Sequence, residues 1–153
     1  MRPDARTVYQ THLDRITEAV WRRDFGAAAR AMHFPHRRIT PEGEVFHLSP
    51  EDVTRDIEVF RGALDALGAT SYERTCEGAE YHPTNPDRID GCHRACAWTA
   101  AGYAMRPWMT RLTLRRTDGL WRCAEMRLAG GPKELNFIHP LTQRLDQSAE
   151  ETR

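Results

Sequence analysis

The segment from Thr70 to Leu128 constrains this chain most. It is a succession of long stretches with period-two alternation, broken only by turn residues. Ser71–Tyr81, Ile89–Ala104, Trp108–Arg116 and Leu120–Leu128 are predicted as strands of one curved antiparallel sheet. Pro83-Thr84-Asn85-Pro86-Asp87 separates the first two. Gly102 and Arg106-Pro107 mark a bend or bulge before the third. Asp118-Gly119 predicts a tight hairpin into the last, because both residues tolerate positive φ.

The first 69 residues have to close one face of that sheet. Val8, His12, Leu13, Ile16, Ala19 and Val20 recur at helical spacing, so a helix is predicted over Pro3–Arg23. Asp24 caps a second, short helix over Phe25–His33, which Pro35 stops. His36–Leu48 reads as a hairpin turning at Pro41-Glu42-Gly43-Glu44. Ser49-Pro50-Glu51-Asp52 is the clearest helix start: a cap, Pro at the first helical position, then acids on the positive end of the helix dipole. Val53, Ile57, Phe60, Leu64 and Leu67 form the buried stripe of that helix, its opposite face is charged, and Gly68 ends it.

The element order is α+β, with helices gathered on one sheet face. Residues 1–131 are predicted as a single domain. Residues 132–153 form a C-terminal extension that carries Leu135, Phe137, Ile138, Leu141 and Leu145 and frays from Gln147.

Two stretches carry a resemblance to a known family. They are Ala19-Val20-Trp21-Arg22-Arg23-Asp24-Phe25, at the joint of the first two helices, and Asp118-Gly119-Leu120-Trp121-Arg122-Cys123-Ala124, in the last hairpin. Over about residues 5 to 130 the chain resembles the nuclear transport factor 2-like superfamily of cone-shaped α+β barrels, including SnoaL-like polyketide cyclases. The resemblance implies a bent sheet wrapped around the helices, a conical pocket open at one end, and homodimers formed through the outer sheet face. It also implies a choice of roles. Some members are cofactor-free isomerases, dehydratases, epoxide hydrolases or cyclases, and others only bind ligands or partners.

Composition narrows the partners. Lys and Arg number 22 and Asp and Glu number 22, so the chain is formally neutral and lacks the footprint of a nucleic-acid binder. No apolar run reaches the ~20 residues of a membrane span. The charged start, Met1-Arg2-Pro3-Asp4, has no apolar core behind it, so a cytoplasmic location with reduced thiols is expected. No phosphate-binding glycine loop, Gly-x-Ser-x-Gly elbow or His-Glu-x-x-His is present, and no cofactor is expected. Cys92 and Cys96 on a strand would lie about 13 Å apart, too far to share a zinc, so no metal site is expected.

Strand alternation nominates a site. Trp108, Thr110, Leu112 and Leu114 form the inner face of their strand. The corresponding faces of its neighbours read as Cys92, Arg94, Cys96 and Trp98, and as Trp121, Cys123, Glu125 and Arg127. Arg94, Glu125 and Thr110 then share a face with Trp98 and Trp108. Charges among tryptophans admit two explanations: a structural Arg94–Glu125 or Arg127–Glu125 pair, or a pocket with apolar walls and a charged anchor for a small hydrophobic, anionic or carbonyl ligand. His12, on the apolar stripe of the first helix, and His33 and His36, where the chain enters the sheet, complete the ligand-binding set. For catalysis the nominees are His33 or His36 as base and Asp14 or Glu125 as its orienting group. His47, His82, His93 and His139 read as loop, edge or outer-face positions. The opposite face, with Ala95, Ala97, Met109, Ala124, Met126 and Leu128, reads as apolar enough to pair two copies.

Two functions follow: a small-molecule pocket protein, with lyase, isomerase or cyclase chemistry as its enzymatic form, or a non-catalytic dimeric interaction module.

Overall fold

The structure, a computed structural model, describes residues 1–128; the predicted C-terminal extension lies outside the described residues. The chain runs α1 (Ala5–Trp21), α2 (Phe25–Arg30), β1 (Met32–Thr40), β2 (Gly43–His47), α3 (Pro50–Ala66), β3 (Ser71–His82), β4 (Asn85–Thr99), β5 (Gly102–Tyr103), β6 (Trp108–Thr117) and β7 (Leu120–Leu128). The main strands lie in the order β2-β1-β7-β6-β4-β3, with β5 paired to β4. Among the described residues every pairing is antiparallel except β1 with β7, so the sheet is mixed, and its ends at β2 and β3 do not pair with each other. No helix among the described residues is long and apolar enough to cross a membrane.

Local chemistry accounts for the elements. The Asp4 side chain caps α1 by accepting from the Thr7 amide, and Asp24 does the same for Ala27 in α2. Ser49 occupies the cap position of α3 without a side-chain hydrogen bond, and Pro50 with Glu51 and Asp52 starts the helix. Asp118 and Gly119 both have positive φ, 53° and 76°, as a two-residue turn matched to sheet twist demands.

The predicted α2 is corrected at its end. It stops at Arg30, and Met32, His33 and Phe34 already belong to β1. The residue before a proline is driven out of the helical region, so Pro35 extends the chain instead of merely ending the helix. The β1–β7 pairing is correspondingly irregular, passing from Met32 opposite Cys123 to Arg37 opposite Glu125.

The core forms where α1 and α3 lie on the concave side of the sheet. Tyr9, Leu13 and Ile16 pack with Val53, Ile57, Ile89, Leu112 and Leu114. A second cluster of Leu64, Ala95, Ala97, Met105, Trp108 and Leu128 closes the other end. Each large aliphatic side chain buried here contributes roughly 1.5–3 kcal/mol.

β4 faces the opposite way from the expected one, and β7 does so beyond a bulge. On β4 the buried residues are Ile89, His93, Ala95 and Ala97, which lie opposite Leu114, Thr110 and Trp108 of β6 or continue their row. Cys92, Arg94, Cys96 and Trp98 therefore belong to the outer face. On β7 the register shifts between Cys123, opposite Leu114, and Glu125, opposite Thr113, so Ala124 is an inserted residue. The bulge reverses parity: Cys123 points inward, and then Met126 and Leu128 do, leaving Glu125 and Arg127 outside. The outer face thus loses Ala95, Ala97, Met126 and Leu128. It carries Arg94, Arg111 and Arg127, with Met109 exposed.

Candidate functional site: a cavity between helices and sheet

A cavity of about 80 Å³ lies between α1, α3 and the concave sheet face. Its apolar wall includes Ile16, Val20, Val53, Ile57, Phe60, Trp108, Met126 and Leu128, and its polar wall is Arg38, Asp56, Tyr72, Arg74, His93 and Thr110.

At one pole α3 and the first hairpin meet. Asp56 Oδ2 accepts from Arg38 Nη1 at 3.0 Å and pairs with His47 Nε2 at 2.8 Å, with all three side chains buried. Oδ1 of Asp56 is buried with no hydrogen-bond partner among the described residues. A carboxylate pinned through one oxygen, with the other uncommitted, is a buried acceptor awaiting a donor. Behind it His36 donates from Nδ1 to the Cys123 carbonyl, 3.1 Å away, and its ring centroid lies 6.0 Å from that of His47. Burial, with the Arg38 charge, lowers the His36 pKa to about 3, so the ring is neutral at physiological pH.

At the other pole β3 and β4 meet α1. Tyr9 Oη and His93 Nδ1 share a 2.8 Å hydrogen bond. A Cβ on Gly91 would sit 2.6 Å from the Tyr9 ring, so glycine at 91 is what lets that ring lie against β4. Burial, then the charge of Arg74, lowers His93 to about 2 and His12 to about 3. Burial pushes the Tyr9 and Tyr72 phenols up. Arg74 donates from Nε to Thr17 Oγ1 at 2.8 Å and from Nη2 to the Leu13 carbonyl at 3.3 Å. The Tyr72 ring stacks against Trp108, with centroids 6.3 Å apart, and meets Phe60 edge-on.

Two of the eight predicted ligand-binding residues, Trp108 and Thr110, border the cavity. Arg94 is exposed on the outer face opposite Met109. Glu125, also outside, lies 3.4 Å from Arg37 and 3.6 Å from Arg127, in an ion-pair group that includes Glu44. Trp98 donates its indole N–H to Glu73 at 2.8 Å and packs on Tyr103. His12 is buried in α1, and Nδ1 of His33 is buried without a hydrogen-bond partner among the described residues; neither borders the cavity, nor does His36. Asp14 accepts from Gln10 on the exposed side of α1. His47 and His93, expected outside, are both buried.

The cavity-wall residues that sequence reasoning does not nominate are Asp56, Arg38, Arg74 and His93. Asp56 was legible: it stands three residues after Val53 and four before Phe60, on the same helical stripe. Arg38 alternates with His36 and Thr40, both also buried, but no feature of the strand itself says which face turns inward.

Among the described residues no three His, Cys, Asp or Glu side chains converge as a metal site would require, and all four cysteines are free. Burial raises the Cys123 thiol to about 12.

No protein-family model matches the sequence, and no curated protein matches it. Solved structures do match. Aln2 from a Streptomyces species superposes with a TM-score of 0.63 at 16% identity, over 84% of this chain and 94% of that one. An NTF2-like protein with a cystatin-like fold from Novosphingobium aromaticivorans gives 0.62 at 16%, over 88% of each chain. An NTF-2-like protein of unknown function from Shewanella oneidensis gives 0.61 at 12%, over 81% of this chain and 98% of that one. The chain has the nuclear transport factor 2-like fold. The expected α+β architecture therefore stands, with a mixed sheet in place of a wholly antiparallel one, and the concave side of that sheet holds the cavity just described.

Proposed function

We propose that the protein binds a small molecule in the cavity and acts on it without a cofactor, with Asp56 accepting a proton from the ligand. The uncommitted Oδ1 of Asp56, on a carboxylate oriented by Arg38 and His47, carries this reading. A general base has to be within hydrogen-bond reach of the proton it takes and held in one orientation. Thr110 and Arg74 supply donors on the same wall, where a developing oxyanion would be stabilised. The reaction class is proton transfer at carbon next to a carbonyl, the step shared by isomerases, lyases and cyclases that work unaided.

Proton exchange tests this without knowledge of the product. Small enolisable ketones and keto acids incubated in D2O with the protein should exchange the α-proton, followed by NMR. Asp56→Asn should abolish exchange, whereas His12→Gln, outside the cavity, should leave it unchanged. Ligand that binds only the folded form also raises stability, by about 2.7 kcal/mol at a hundredfold excess over Kd. Exchange by Asp56→Asn at the wild-type rate would dismiss Asp56 as the base.

A further inference from the structure

Arg74 borders the cavity and is 9% exposed, yet no carboxylate among the described residues pairs with it. Its hydrogen bonds go to neutral acceptors, Thr17 Oγ1 and the Leu13 carbonyl. Asp14, Glu18 and Glu73 line a surface groove on the other side of Arg74, and each bonds elsewhere: Asp14 with Gln10, Glu18 with Arg22, and Glu73 with Trp98. The second arginine on the cavity wall, Arg38, is matched by Asp56. Of the other polar groups on that wall, His93 and Tyr72 are held in their neutral forms and Thr110 has no charge to offer. Among the described residues the cavity therefore carries one positive charge, that of Arg74, without a carboxylate partner.

Leaving a buried guanidinium without a counter-ion is costly, and a ligand that brings the missing charge recovers that cost on binding. Arginine's planar fork suits a carboxylate in particular. The cavity that Arg74 borders is otherwise walled largely by hydrocarbon, Ile16, Val20, Ile57 and Trp108 among it. We infer that the cavity takes a small aliphatic monocarboxylate, with its charged end on Arg74 and its carbon chain against the apolar wall. This rests on the cavity being the ligand site. It places the anion on β3, at Arg74, where alternation in the sequence had nominated Arg94 of β4.

Butyrate and its uncharged isostere butyramide make the probe pair, titrated into the whole chain by NMR and calorimetry at fixed ionic strength, with sodium chloride as the control. A charge-assisted hydrogen bond in a buried site is worth roughly 1.5–3 kcal/mol, so butyrate should bind at least about tenfold tighter than butyramide. Arg74→Gln should remove the preference, and Arg74→Lys should retain part of it. Equal binding of the two probes to wild type would overturn the carboxylate assignment and leave the cavity as a ligand site. Binding by neither, across two- to five-carbon homologues, would overturn both. The wild-type comparison decides even if Arg74→Gln fails to fold. Butyrate binding undiminished in a folded Arg74→Gln would remove Arg74 as the anchor.

Discussion

Arg37 and Arg38 are neighbours in the chain and opposites in the fold. Arg38 lies on the inner face of β1, buried, 3.0 Å from the buried Asp56. Arg37 lies on the outer face, where Glu44 and Glu125 share it in water. The same guanidinium chemistry does two jobs. Outside, solvent screens the charges and their pairing adds little to stability. Inside, each charge depends on its partner, because removing one strands the other in a medium that cannot solvate it. Period-two alternation thus divides one strand between a polar cavity wall and an ordinary solvated surface.

The largest expected effect breaks the inner pair. Asp56→Ala should cost about 3–5 kcal/mol in urea unfolding, since it removes the buried carboxylate that Arg38 and His47 share. Replacing both, as Arg38→Met with Asp56→Leu, should cost clearly less than the sum of the single changes, and a double-mutant cycle would measure that coupling.

Acid offers a second way to separate the faces. His12 and His36 are lowered to about 3 and His93 to about 2, in each case chiefly by burial, against about 6.5 when unfolded. The unfolded chain then binds more protons than the native one below pH 6.5. Stability is whole above that pH and falls as the pH drops towards the folded values, by up to roughly 1.4 kcal/mol per pH unit for each histidine. On the outer face, the hydrogen bond from Arg37 keeps the Glu44 carboxyl below its usual range, so it loses its contribution only in stronger acid. Urea midpoints between pH 7 and pH 5 should therefore fall through the histidines, and a flat profile would contradict their buried neutral state.

Gly91→Ala probes the second pole more gently. The new methyl has to displace the Tyr9 ring and also lies 2.8 Å from the Gly78 carbonyl oxygen of β3, and overpacking of this kind costs roughly 1–3 kcal/mol. Tyr9→Phe should cost about 1 kcal/mol by removing the hydrogen bond to His93. If the two changes act through the same contact, the double variant should fall short of their sum. The smallest effect belongs outside: Arg37→Ala should leave the urea midpoint within experimental scatter.

The turns and helix starts were readable because their causes are local. Asp118-Gly119 makes its hairpin from two residues that accept positive φ, and Pro50 with Glu51 and Asp52 begins α3 by backbone geometry and charge alone. Such signals suffice for the element order and the α+β class, and with them for the Trp108–Thr110–Leu112–Leu114 face that borders the interior. Which side of β4 and β7 joins that face was settled only by long-range packing. Alternation yields two sets of residues per strand without saying which is inside, and a bulge at Ala124 exchanges them half-way along β7. That choice sent Arg94 and Glu125 to the outer face and brought Arg74 and His93 to the cavity. The physical reason is that a strand's facing is set by the partners it pairs with and the helices packed upon it, contacts between residues far apart in the chain.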